Sequence, residues 1–124
     1  MQKFDKHELK NGMVIVAEPI ENVQSAAFDI MIPSGTSRLP HGCCGASSVI
    51  EDWIFRGAAG KTSRQLGDEL DSLGLHRASS LGNSHLTIGA VMEWQKLPEA
   101  LKLYADVIRQ RSEEHTSELQ SPLC

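Results

Sequence analysis

The chain has no block of basic residues, no apolar run of the length a membrane span requires and no apolar segment behind its first residues. The first absence removes the electrostatic footprint of a nucleic-acid binder and of a basic helix lying on a membrane surface. The second speaks against a transmembrane helix. The polar start, Met1-Gln2-Lys3-Phe4-Asp5-Lys6, shows no secretory signal, and a cytoplasmic location is the default expectation. Cysteine is also sparse, with three residues of which Cys43 and Cys44 are adjacent and Cys124 stands at the very end. Adjacent cysteines strain any bridge between them and match no zinc-knuckle spacing, so reduced thiols are expected.

What is present fits one domain or a piece of one: 124 residues with 40% hydrophobic content, enough for an ordinary core. The formal charge of -4 hides a boundary. Residues 111–124 read RSEEHTSELQSPLC, with almost nothing apolar and no period matching what precedes them. Arg111 through Ser121 resembles the translation of a common short-read sequencing adapter. The stretch 111–124 is therefore set apart as an artefactual, disordered tail. Its Glu113, Glu114, His115 and Glu118 are not recruited as ligands. Residues 1–110 carry the native-looking sequence, which is expected to have continued past Gln110 in its parent.

Along those residues the pattern alternates between strands and helices. His7-Glu8-Leu9-Lys10, Asn11-Gly12 and the run Met13 to Pro19 predict a β-hairpin. Asn-Gly suits a type I′ turn, and the β-branched second strand suits burial on both faces or nearly so. Residues 26–32 alternate, with Phe28, Ile30 and Ile32 on one face, and are expected to pair with that hairpin. A loop over 33–44, holding Gly35, Arg38, His41, Cys43 and Cys44, leads to a helix over 46–56; His41 and the two cysteines read as loop residues. Ala58-Ala59-Gly60-Lys61 reads as a flexible connector. Thr62 and Gln65 then have the capping-box spacing, with Leu66, Leu70 and Leu73 behind them and Gly74 at the end, predicting a helix over 62–73. Its Asp68, Glu69 and Asp71 read as a solvated face. Two strands, 75–80 and 85–92, follow with a turn between them. His76 and His85 on them read as ordinary strand histidines. Leu97-Pro98-Glu99 opens a helix over 97–109 with Pro at its first position and a buried stripe of Leu101, Ala105 and Ile108, flanked by Leu97 and Tyr104. Within both strand pairs the connections are too short for parallel crossovers, so the expected class is α+β, an antiparallel sheet packed against helices.

The stretch Gly45 to Gly57 carries the chemistry. Val49, Ile50, Trp53 and Ile54 recur at helical spacing, which places Ser48, Glu51, Asp52 and Phe55 along a second stripe. This run resembles the zinc helix of the pitrilysin/insulinase family of peptidases, the inverted zincins, whose signature is H-x-x-E-H followed by apolar residues, a basic residue and Gly. Leu-x-Asn-Gly at the hairpin and Leu-Pro-Glu-Ala-Leu at the last helix are similar to family members as well, so the resemblance covers about residues 7 to 110.

The resemblance implies a metalloprotease-like domain of the pitrilysin or mitochondrial processing peptidase type, truncated here. In the family both histidines hold zinc and the intervening Glu is the base for metal-bound water. Here the histidine positions are Ser48 and Asp52, and Glu51 is left as a vestigial general base. Zinc in a peptidase needs three good protein ligands and an open position. A serine hydroxyl is a poor ligand, and the family's third ligand falls beyond residue 110, so no metal and no cofactor are expected. The family's peptide-contacting strand motif is matched by Arg77-Ala78-Ser79-Ser80, which makes these four residues candidates for peptide binding. The resemblance thus implies a non-catalytic homologue, a peptide-binding or partner subunit of a zinc metallopeptidase. Its partners would be a catalytic subunit or the second half of the parent chain, together with extended peptides. Two alternatives stay open: an active zinc metalloendopeptidase with substitute ligands, and a purely structural assembly subunit.

Overall fold

A three-stranded antiparallel sheet with its helices on one face organises the chain. The computed structural model describes residues 3–43, 45–58 and 60–109; Cys44, the end of the 1–110 segment at Gln110 and the tail 111–124 lie outside them. The element order is β1 (Asp5–Glu8), β2 (Val14–Ala17), β3 (Ser25–Ile32), α1 (Ala46–Trp53), β4 (Gly57–Ala58), β5 (Lys61–Thr62), α2 (Ser63–Ser72), β6 (His76–Leu81), β7 (Leu86–Glu93) and α3 (Leu97–Arg109). Single 3₁₀ turns precede α1 (Thr36–Arg38) and α3 (Trp94–Lys96). The main sheet has the order β3-β7-β6, and all its pairs are antiparallel. The α+β class expected from the strand and helix runs is what the fold shows.

Strand periodicity decides which side chains enter the core. Ala26, Phe28 and Ile30 of β3 face the same side as Leu86, Ile88, Ala90 and Met92 of β7. Onto this face α2 brings Leu66 and Leu70, α3 brings Ala100, Leu103, Tyr104 and Val107, and the end of α1 brings Ile54. Leu66, Leu70, Ile88 and Tyr104 are fully buried. Burying a leucine side chain contributes roughly 1.5–3 kcal/mol, so the α2 pair alone pins that helix to the sheet.

Local signals acted as their chemistry dictates around α2. The Thr62 hydroxyl accepts from the Gln65 N–H (3.2 Å) and the Gln65 side chain accepts from the Thr62 N–H (3.0 Å), a reciprocal capping box. Gly74 ends the helix at φ +67°, a left-handed conformation that costs glycine little.

Several local expectations are corrected by the structure. The hairpin β1-β2 forms its own two-stranded sheet, and every residue of both strands is exposed although the β2 run was expected to be buried; β3 pairs with β7 across eight residues and not with the hairpin. The hairpin turn is also longer than a two-residue type I′ loop. Gly12 N–H donates to Leu9 O (3.0 Å) and Leu9 N–H to Met13 O (2.8 Å). Gly12 has φ +88°, while Asn11 is not left-handed and its side chain accepts from Met13 N–H. This is a turn followed by a left-handed glycine, the usual three-residue solution. The connector after α1 is ordered as a short ladder, Gly57 opposite Thr62 and Ala58 opposite Lys61. In α3 the buried stripe is Ala100, Leu103, Tyr104 and Val107, while Leu101 and Ile108 are exposed. Both stripes are apolar at helical spacing, and the sheet selects the one holding the single tyrosine. Cys43 is buried and disulfide-bonded, which departs from the expectation of reduced thiols.

Tyr104 joins the layers. Its hydroxyl donates to the Gly89 carbonyl of β7 (2.9 Å), and its ring meets Phe28 edge-on at 4.8 Å and Phe55 at 5.4 Å between centroids. Burial pushes the phenol up to about 12, with the Arg77 charge acting in the opposite direction. The folded state therefore holds the Tyr104 proton more tightly than the unfolded chain, whose phenol titrates near about 10. That contribution to stability is complete below about pH 10 and is lost as pH rises toward 12. Denaturant titrations between these pH values should show stability falling in the parent chain and a shallower fall in Tyr104→Phe. At neutral pH the same variant should lose about 1 kcal/mol with the hydroxyl's hydrogen bond.

Candidate functional site

Helix α1 is aimed by the loop in front of it. Thr36 N–H donates to Gly82 O and Ser37 N–H to Asn83 O, both at 3.0 Å, which ties residues 36–37 to the tip of the β6-β7 hairpin. Gly35 lies so close to that tip that a Cβ would overlap the Asn83 carbonyl. Glycine is needed here for closeness of backbones, not for an unusual dihedral. Two further turns, Cys43 N–H to Pro40 O and Ala46 N–H to Cys43 O, carry the chain into α1. Trp53 and Ile54 at its end are buried, and Phe55 packs beside the core.

The three residues singled out on α1 have separate fates. The Ser48 hydroxyl donates to the Gly45 carbonyl one turn back, at 3.3 Å, a local bond typical of serine in a helix. Asp52 is exposed. The Glu51 carboxylate reaches across to β6 and accepts the Leu81 N–H at 2.7 Å in a partly buried setting. A charge-assisted bond of that length is among the stronger kinds in a protein.

This donor set does not fit a catalytic zinc ion. Ser48 is an alcohol bonded one turn back, Asp52 is an exposed carboxylate, and Glu51 is engaged by a backbone amide. Among the described residues no group of three or more His, Cys, Asp or Glu side chains is placed to hold a metal. His41 and His76 are exposed, and His85 Nδ1 sits 2.8 Å from its neighbour Ser84 Oγ.

The candidate peptide-binding residues, Arg77 to Ser80, all lie on β6, an edge of the main sheet. By register Ala78 and Ser80 sit on the open face, while Arg77 and Ser79 sit on the side that faces the helices. The Arg77 guanidinium lies 5.6 Å from the centroid of Phe55 and 3.6 Å from the Asp71 carboxylate. Asp71 is largely exposed, so this ion pair contributes little to stability. The effect of Arg77 is to hold β6 beside the end of α1 through its contact with the ring. Of the acidic face of α2, Glu69 pairs with Lys61 at 2.7 Å. A cleft of about 260 Å³ opens beside that pair, lined by α2, α3 and Lys61.

The structure thus brings Glu51 and the end of β6 together, while Ser48 bonds within its own turn and Asp52 is exposed. The Leu81 amide, central to this arrangement, escapes sequence reasoning because nothing in the residue type of Leu81 marks which way its backbone N–H points.

Comparison with known proteins agrees with the fold. No family model matches the chain. It is 25% identical over 108 residues to a protein of Rickettsia bellii called an uncharacterized zinc protease, covering 87% of this chain and 26% of that protein. A Rickettsia felis protein of the same description gives the same identity and coverage. Among solved structures, the crystal structure of a protease from Helicobacter pylori superposes with a TM-score of 0.79 at 17% identity, covering 90% of this chain and 27% of that one. The chain is therefore distantly related to zinc protease-like proteins and shares the fold of a protease, and it spans about a quarter of the length of those relatives.

Two measurements check the site. Zinc added to the purified chain at neutral pH should not be retained stoichiometrically after desalting, and Asp52→Ala should leave metal content unchanged. Gly35→Ala should lower unfolding stability by roughly 1–3 kcal/mol, as overpacking against backbone does.

Proposed function

We propose that this chain is the peptide-binding or partner portion of a zinc-peptidase-like protein of the pitrilysin/insulinase type, without hydrolytic activity of its own. The observation that carries the proposal is the occupation of Glu51. A general base must reach a metal-bound water, and this carboxylate instead accepts a backbone N–H from β6. Ser48 and Asp52, in the ligand positions of the family signature, supply no imidazole.

Binding is the activity the remaining geometry supports. Strand β6 ends the main sheet, and an extended peptide can add to such an edge through main-chain hydrogen bonds with little demand on its sequence. The arrangement of Arg77, Phe55 and Glu51 fixes that edge in place. A partner, either a catalytic subunit or further sequence of the parent protein, is consistent with the hairpin. Val14, Ile15 and Val16 form a continuous apolar run that is about half exposed throughout, at 48%, 47% and 61%. Contiguous apolar surface of this kind marks places where more protein packs.

Titration with unstructured peptides separates this reading from a purely structural role. Saturable binding of extended peptides is expected, with no cleavage products and no response to a chelator. Hydrolysis by this protein alone that a chelator abolishes would reject the non-catalytic assignment.

A further inference from the structure

The direction of each amide along β6 follows from one hydrogen bond. Gly82 N–H donates to His85 O at 2.9 Å, so residues 82 and 85 form a hydrogen-bonding pair at the hairpin end. In an antiparallel ladder such pairs alternate with pairs whose N–H and C=O groups turn outward. The register pairs Leu81 with Leu86, Ser79 with Ile88 and Arg77 with Ala90. These are the outward-turned pairs, and the backbones of Leu81, Ser79 and Arg77 therefore form the edge of β6 that no other described strand pairs with. The Leu81 N–H confirms the alternation independently, since it bonds to a side chain outside the sheet, Glu51 Oε1.

We infer that Glu51 is the stop that ends strand addition on β6. Its carboxylate already takes the outermost edge amide, at Leu81. An added strand then finds both backbone groups open at Arg77 and Ser79, about four hydrogen bonds in all, and no free N–H at Leu81. Continuing past Ser79 would bring a peptide carbonyl toward an N–H that is already engaged and beside a negative charge. Unguarded sheet edges recruit strands without limit, and an inward-held charge at the edge is one way proteins prevent it. The retained acid of the zinc-helix motif here acts through backbone register, as a positioning residue. This inference rests on the peptide-binding reading above and gives it a length and an end.

The test is residue-resolved amide hydrogen exchange on the 124-residue chain, free and with a saturating extended peptide, for the parent, Glu51→Ala and Glu51→Gln. In the free parent the Leu81 amide should be protected, and the peptide should slow exchange at Arg77 and Ser79 while leaving Leu81 unchanged. Glu51→Gln keeps an acceptor oxygen and should behave as the parent does. Glu51→Ala should speed Leu81 exchange by roughly tenfold in the free chain. Peptide should then protect Leu81 as well, lengthening the footprint by one bonding position. A Leu81 amide that exchanges equally in the parent and Glu51→Ala overturns the inference, and so does a footprint that already includes Leu81 in the parent. Should Glu51→Ala fail to fold, peptide protection in the parent and in Glu51→Gln that stops at Ser79 upholds it. A peptide that protects neither Arg77 nor Ser79 removes the binding reading and the stop with it, leaving only the structural pairing of Glu51 with Leu81.

Discussion

The fold depends on one ring and its hydroxyl. Tyr104 is the only tyrosine of the chain, and from α3 it touches β3 through Phe28, β7 through the Gly89 carbonyl and the segment after α1 through Phe55. A buried phenol must find an acceptor, because leaving its polar end dry costs more than the ring's burial tolerates. Satisfying that need fixes the rotation of α3 against the sheet. Once the rotation is set, Ala100, Leu103 and Val107 point inward, and Leu101 and Ile108 are left outside. Phe55 in turn lies within reach of Arg77, so the position of the core aromatic cluster passes outward to the edge strand.

A second constraint joins the loop before α1 to the β6-β7 hairpin. Gly35 and the amides of Thr36 and Ser37 lie against the hairpin tip, and Glu51 reaches the last residue of β6 from the far side of the same region. The helix that resembles a zinc helix is thus held to the edge strand by hydrogen bonds to backbone. This proximity gives the Leu81 amide a carboxylate partner. The scaffold relation to zinc protease-like proteins and the absence of a ligand set at Ser48, Glu51 and Asp52 are compatible, because fold and site are held by different residues.

The helical segments were legible where the signal is local. The capping box at Thr62 and Gln65, the leucine spacing of α2, Gly74 and the alternation of β3 are all properties of neighbours along the chain, and each took its expected form. The strand pair β6-β7 was legible for the same reason, since a four-residue gap between two strand-like runs allows only an antiparallel return. The candidate site was legible only as a list of residues. Ser48, Glu51 and Asp52 could be named from their spacing, and Arg77 to Ser80 from resemblance, but the bond between Glu51 and Leu81 spans thirty positions of chain. No periodicity carries information over that distance.

By itself, then, the sequence determined the kind of the main elements and the alternation of polar and apolar positions along them, because each is written in residue types at short spacing. Only the tertiary structure decided that β3 pairs with β7 and not with the first hairpin, which apolar stripe of α3 is buried, and what Glu51 holds. The last two outcomes turn on competition between alternatives of equal local merit: two stripes on one helix, water or a distant amide for one carboxylate. Such competition is resolved by which arrangement buries apolar surface while leaving no buried polar group unpaired.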